Sequence, residues 1–260
     1  MIYLSFDTEE FDVPKERNGN YNPLREGLAI SSNGIAHILR ILRDESIRAT
    51  FFCTSNFVTE RLDIAQQIIT EGHEIASHGC DHWHPQKGDL IKSKKIIEHS
   101  LGINIYGYRQ PRMKDVNIQE LTHSGYKYNS SLNPTIIPGR YSHFLTSRKP
   151  WIEDGIVQIP ISVTPYFRLP MFWLGLHHYP IRLYIAFTNW IVLKDGNFNT
   201  YFHPWEFVSL KNTPNISYLI RHKSGDEMCK RLQTIISYLK NKGERFGTYF
   251  EYANEILNAN

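Results

Sequence analysis

An α/β architecture built from repeated β/α units follows from two features of this 260-residue chain. Short apolar runs of strand length alternate with longer amphipathic runs through its first two-thirds. Glycines also stand directly after several of the amphipathic runs, where helices characteristically stop. No internal repeat, low-complexity tract or Gly/Ser/Pro-rich linker interrupts the pattern, so residues 1–260 are expected to form a single domain.

Taken in order, residues 2–6 read as the first strand. Residues 32–43 read as a helix with Ile35, Ile38, Leu39 and Leu42 on one face. Residues 49–53 form a second, buried strand, 62–71 a helix stopped by Gly72, and 74–77 a third strand. A helix over 89–101 closes at Gly102, a strand follows at 105–108, and a helix over 117–124 closes at Gly125. Later strands are expected at 156–161 and 200–202, and a helix over 226–242 ends at Gly243. The stretch 166–193 differs from the rest. It is rich in Phe, Trp, Tyr and Leu, but Arg168, His177, His178, Pro180 and Arg182 break it up, so it cannot be a continuous membrane span. It reads either as a core helix with an aromatic loop, or as an insertion or lid that meets a membrane surface or a lipid-linked substrate.

Composition narrows the function classes. A hydrophobic fraction of 41% with 21% charged residues describes a globular chain rather than a disordered or fibrous one. A formal charge of +3 is too small for a nucleic-acid footprint, so no nucleic-acid partner is expected. Cys53, Cys80 and Cys229 are too few and too scattered for a disulfide framework or a cysteine-rich zinc cage. The chain opens on a strand with no basic leader and apolar core, and a cytoplasmic location is expected.

Four segments concentrate reactive side chains at the ends of predicted strands, where β/α folds place catalysis. Asp7, Glu9, Glu10 and Asp12 crowd the end of the first strand, an arrangement that is costly unless a cation or a proton transfer uses it. His78 and His82 stand four apart after the third strand and can share one divalent ion. Histidine with carboxylate suits zinc, iron, cobalt or nickel. His73, His84 and Cys80 compete nearby without that spacing. Arg109 follows the 105–108 strand and can hold a carboxylate ionised and oriented. His203, braced by Pro204 and flanked by Trp205, can serve as a general acid. Taken singly, each also fits a plainer part: a solvated acidic turn, a chance histidine pair, a surface ion pair, a buried structural histidine. It is their joint placement that points to chemistry.

Those segments, with Ala49-Thr50-Phe51-Phe52, Gly72 to His82, Gly107 to Pro111, Gly125 to Ser131 and His203-Pro204-Trp205-Glu206, resemble the polysaccharide deacetylase (NodB-homology) family, carbohydrate esterase family four. The resemblance implies an irregular (β/α) barrel, often seven-stranded, and metal-dependent hydrolysis of an N-acetyl group on a sugar or glycan. By that resemblance Asp7 is the general base, His203 the general acid and Arg109 the holder of the base. His78 and His82 are metal ligands with Glu9, or Glu10 in its place, as the third. Pro111 and Trp205 contact substrate. The cofactor is a divalent transition metal, zinc first, cobalt or nickel otherwise. Three positions depart from the family pattern: Thr8 where an aspartate usually follows the base, Gly79 where Ser or Thr follows the first histidine, and Asn129 where an aspartate precedes Ser-Ser. Two alternatives stay open, a metal-independent hydrolase of a small non-sugar amide and a catalytically silent carbohydrate-binding protein.

Overall fold

The computed structural model describes residues 1–16, 24–82 and 86–259, so His84 lies outside the described residues. Its strands are β1 (Ile2–Thr8), β2 (Thr50–Cys53), β3 (Glu74–Ser77), β4 (Gly107–Tyr108), β5 (Tyr128–Asn129), β6 (Ile136–Ile137), β7 (Tyr141–Ser142), β8 (Trp151–Glu153), β9 (Ile156–Gln158), β10 (Phe198–Phe202) and β11 (Phe246–Gly247). Its helices are α1 (Leu24–Asp44), α2 (Ser55–Glu60), α3 (Leu62–Thr70), α4 (Asp89–Leu101), α5 (Ile118–His123), α6 (Trp173–His178), α7 (Ile181–Asp195), α8 (Tyr218–Arg221), α9 (Asp226–Asn241) and α10 (Tyr249–Asn258).

Every residue of β1 is buried, as expected for a parallel strand covered on both faces. Parallel pairing runs β10-β1-β2-β3-β4-β5-β9, seven strands that make the curled wall of an irregular (β/α) barrel. β8 adds antiparallel to β9, and β11 pairs with the start of β1. The seam between β9 and β10 is bridged beyond the ladder. There Ser162 N–H donates to the Asn199 carbonyl at 3.0 Å, and Asn199 N–H donates to Ser162 Oγ at 2.9 Å. One apolar cluster links strands and covering helices from Ile2 to Leu239, including Ile35, Ile38, Leu39 and Leu42 of α1.

The rim at the strand C-termini is what positions the site. Each residue that leaves the sheet is tied to the end of the strand before it. Thr54 N–H donates to Thr8 O at 3.0 Å, His78 N–H to Cys53 O at 2.8 Å, Arg109 N–H to Ser77 O at 2.9 Å and Ser130 N–H to Tyr108 O at 2.9 Å. His78, Arg109 and Ser130 therefore emerge at a set height around one mouth.

The aromatic stretch 166–193 resolves largely into α6 and α7. Both bury an apolar face: Trp173 and Leu176 on α6, Tyr184 and Ile191 on α7. Tyr166 and Phe167 project from the loop before them, 71% and 72% exposed. Among the described residues no helix is long and apolar enough to cross a membrane.

Candidate active site

Asp7 lies one residue before the end of β1, and Arg109 follows β4 directly. Across the mouth the Arg109 guanidinium donates through Nη1 to Asp7 Oδ1 at 2.5 Å and to Ser5 Oγ at 2.9 Å. Its Nε donates to the Ser130 carbonyl at 2.9 Å and its Nη2 to Ser130 Oγ at 3.0 Å. The guanidinium lies 3.9 Å from the centre of the Phe52 ring, with Tyr201 and Tyr249 on its other sides. Burial works against its charge, but Asp7 and the neighbouring tyrosines outweigh that and raise its pKa. A cation so boxed in orients the Asp7 carboxyl.

Glu9 leaves β1 toward the two histidines predicted to share an ion. Its buried Oε2 has no hydrogen-bond partner, yet it faces His78 Nε2 at 3.5 Å and His82 Nε2 at 3.4 Å. His78 Nδ1 donates to the Arg109 carbonyl at 2.8 Å, which fixes its tautomer and leaves Nε2 toward Glu9. His82 Nδ1 lies 3.4 Å from Asp12 Oδ1. Burial alone would keep Glu9 protonated, but His82 and His78 overcome it and hold the carboxyl low, near 2. Burial likewise opposes charge on His82, and Glu9 with Asp12 raises it to about 9. Ligands about 2.1 Å from zinc stand roughly 3.4 Å apart in a tetrahedron, so these spacings and this donor set fit a divalent metal. Among the described residues no group of three or more His, Cys, Asp and Glu side chains, this one included, stands as a ready-made metal-holding cluster.

Glu10, the other acid considered for this shell, contacts neither histidine. Burial first, then Glu9, Asp12 and Asp81, raises it to about 7. His73 lies at the opposite edge of β3, beside Arg48 and Glu71, and Cys80 lines a separate groove.

His203 follows β10 and caps the tight turn Pro204–Phe207. Glu206, three residues on and fully buried, accepts from the His203 backbone N–H at 2.7 Å and from His203 Nδ1 at 2.8 Å. The His203 ring stacks on Trp205, centroids 4.7 Å apart, and meets the edge of Trp173 at 6.0 Å. The turn reaches this position because α1 presents Gly34 to it: a Cβ there would lie 1.8 Å from the Pro204 carbonyl oxygen.

One cavity of about 60 Å³ gathers Asp7, Glu9, His78, His82, His203 and Trp205, with Arg140, Tyr141, Trp173 and Ile220 around it. Pro111 is not among its lining residues. It lines an adjacent groove of about 290 Å³, its ring against Gly79, where φ is +74° and a Cβ would meet the Pro111 Cγ at 3.3 Å. That left-handed backbone accounts for glycine after the first histidine. Asn129 donates to Gln158 at 2.8 Å and accepts from Ser131 Oγ at 2.5 Å, a neutral junction that needs an amide rather than an acid. A roomier groove of about 880 Å³ opens around Phe207, Arg221, His222 and Lys230 and touches none of the cavity's acids.

Sequence reasoning does not assign roles to Glu206, Trp173 or His177. For Glu206 a local signal exists, an acid three residues after His203 on one turn. Trp173 and His177 arrive from α6, and no spacing announces them.

Residues 1–121 match the polysaccharide deacetylase family model. Over 118 residues the chain is 29% identical to a peptidoglycan deacetylase of Helicobacter pylori, a match covering 42% of this chain and 40% of that protein. The chain thus spans two fifths of that relative's length. In fold it is similar to a Mycobacterium smegmatis protein assigned to the polysaccharide deacetylases, with a TM-score of 0.70 at 16% identity, covering 99% of this chain and 90% of that one. It is also similar to an allantoinase, with a TM-score of 0.67 at 14% identity, covering 97% and 88%. The sequence match over residues 1–121, just under half of the chain, and the shared barrel fold make this chain similar to the polysaccharide deacetylases.

Proposed function

We propose that the protein hydrolyses the N-acetyl group of an amino sugar or glycan, using a divalent transition metal held by Glu9, His78 and His82. Zinc is the first candidate, with cobalt or nickel as substitutes. The observation that carries this reading is the single cavity in which a buried acid, a His–His–Glu donor set and a carboxylate-backed histidine face one another. At about 60 Å³ it has room for an acyl group but not for a sugar ring, which would rest at the mouth against Trp173, Tyr141 and Arg140.

The metal, when bound, polarises the amide carbonyl. The protein's own groups move the protons. Asp7, steered by Arg109, takes one proton from the attacking water as its oxygen bonds to the acyl carbon. His203, its Nδ1–H engaged by Glu206, gives a proton from Nε2 to the departing nitrogen as the C–N bond breaks. Acetate and a free amine result. Each transfer typically contributes about 10²–10⁴-fold.

A second reading, metal-independent hydrolysis of a small non-sugar amide, is favoured by the ion-pair contacts at 3.4 Å that His82 already makes to Glu9 and Asp12, which a bound ion would have to displace. Acetate release from N-acetylated sugars, measured with and without chelator, separates the readings. Release that a chelator abolishes and zinc restores supports the first. Chelator-insensitive hydrolysis of a small amide supports the second, and binding without any hydrolysis would make the protein a silent sugar binder.

The reading extends to place. Unpaired, buried Cys53, Cys80 and Cys229 suit a reducing cytoplasm. The exposed Tyr166 and Phe167 suit peripheral contact with the inner membrane face, where a lipid-linked intermediate of glycan biosynthesis would be met. A soluble nucleotide-linked sugar is the other substrate form this location allows.

A further inference from the structure

The short helix α8 borders two hollows. Its Ile220 lines the catalytic cavity, while Tyr218 and Arg221 line the groove of about 880 Å³. That groove collects four cations from separate parts of the chain: Lys211 from the loop before α8, Arg221 and Lys223 from the end of α8 and just beyond it, and Lys230 from α9. Among the described residues none of the four side chains makes an ion pair or a hydrogen bond. Asp226 and Glu227, on the first turn of α9, also line the groove, yet neither comes within ion-pair distance of a cation there. Lys223 is half-buried, and burial first, then the neighbouring Arg231, holds its pKa below the ordinary value against the pull of Glu227. Cations gathered in a hollow without carboxylate partners repel one another, and a multiply charged anion relieves that repulsion.

Beside the cations stands a stack of three rings. His178 Nε2 donates to the Leu219 carbonyl at 2.9 Å, which pins the innermost ring. His222 stacks on His178 with centroids 5.4 Å apart, and Tyr218 packs against His222 at 4.8 Å. Tyr218, the outermost, is 61% exposed and belongs to the groove wall. A braced aromatic ring next to unpaired Lys and Arg suits a planar base joined to phosphates, since every base has a face to stack and guanidinium matches phosphate geometry. The volume also falls within the roughly 300–1,000 Å³ of small-molecule sites.

We infer that this groove is a binding site for a nucleoside diphosphate, with Lys211, Arg221, Lys223 and Lys230 on the phosphates and the Tyr218 ring against the base. It is distinct from the catalytic cavity, because none of Asp7, Glu9, His78, His82 and His203 lines it. A free nucleotide and a nucleotide-linked sugar share this chemistry.

Calorimetric titration of the full chain at about 50 mM salt tests the site without any turnover, so its outcome stands whatever the protein hydrolyses. Uridine or adenosine diphosphate is expected to bind at least about tenfold more tightly than its nucleoside. Arg221→Ala/Lys223→Ala is expected to weaken that binding about tenfold or more, with an unchanged circular dichroism spectrum because neither side chain is fully buried or hydrogen-bonded. Tyr218→Ala should weaken the nucleotide about fivefold or more and leave inorganic pyrophosphate unaffected. His78→Ala/His82→Ala should bind the nucleotide as the wild type does. Tighter binding of a uridine diphosphate N-acetyl sugar than of uridine diphosphate would assign the groove to the carrier of a substrate, and equal or weaker binding to the free nucleotide. A wild type that binds neither diphosphate at about 1 mM would overturn the inference. So would wild-type affinity in Arg221→Ala/Lys223→Ala, or binding lost only in the His78→Ala/His82→Ala variant, which would put the phosphates at the metal-holding residues instead.

Discussion

Arg109 ties the site together through one side chain. Its donors reach Asp7, Ser5 and Ser130, and its carbonyl fixes His78, so the proposed base and one proposed metal ligand share a single support. Arg109→Met leaves Asp7 buried without its partner. A stability loss of about 3–5 kcal/mol is expected in urea unfolding, with activity falling as well. Asp7→Asn keeps the packing and removes the charge. Turnover is expected to drop by about 10²–10⁴-fold while the circular dichroism spectrum stays that of the native fold. An Asp7→Asn protein with wild-type turnover would remove Asp7 from the mechanism.

At the scale of elements, the catalytic rim depends on close backbone approaches as much as on strands. Gly34 lets α1 lie directly on the turn that carries His203. Gly34→Ala forces that turn away, and we expect a loss of about 1–3 kcal/mol in thermal unfolding, with kcat reduced more than KM. An unchanged kcat would mean that the turn tolerates displacement. The elements most legible in the sequence are those where pattern and stop signal coincide: β3 at Glu74–Ser77, and α4 at Asp89–Leu101 with Gly102 at φ 66°. β4 and β5, two residues each, are too short for alternation to register, and the strand expected at 105–108 pairs only at Gly107–Tyr108. The stretch expected as a strand to residue 161 leaves the ladder after Gln158 and serves instead to bridge the seam. α10 is absent from the sequence-based expectations, although Thr248 and Glu251 form a capping box at its start. Asp7, Glu9, Arg109, His78, His82 and His203 are legible because each follows or ends a strand. His177 is not, because only the packing of α6 brings it to Glu206.

For the whole molecule, the edge of the barrel opposite the cavity carries its own pH dependence. Glu74 is half-buried there, accepting from Thr50 Oγ1, Tyr128 O–H and the Phe250 N–H. Burial raises it from 4.5 to about 7, although those three bonds pull the other way. The folded state thus favours the neutral acid. This contribution is complete below about pH 4.5 and is lost as pH rises through about 7, a change of about 3 kcal/mol. Urea unfolding at about pH 5 and about pH 8 should therefore show Glu74→Gln gaining on the wild type as pH rises; a parallel pH dependence in the two proteins would count against a neutral Glu74. The proposed membrane contact is likewise a property of the assembled surface. Flotation with anionic vesicles should recover the wild type and lose a Tyr166→Ser/Phe167→Ser variant, and no association of the wild type would end that proposal.

The central claim is the metal-holding site, and elemental analysis of protein purified without a histidine tag, wild type beside His78→Ala/His82→Ala, tests it most directly. The account predicts about one transition metal ion per wild-type chain and its loss in the double variant. A wild-type protein that stays metal-free after incubation with zinc, cobalt and nickel would contradict it.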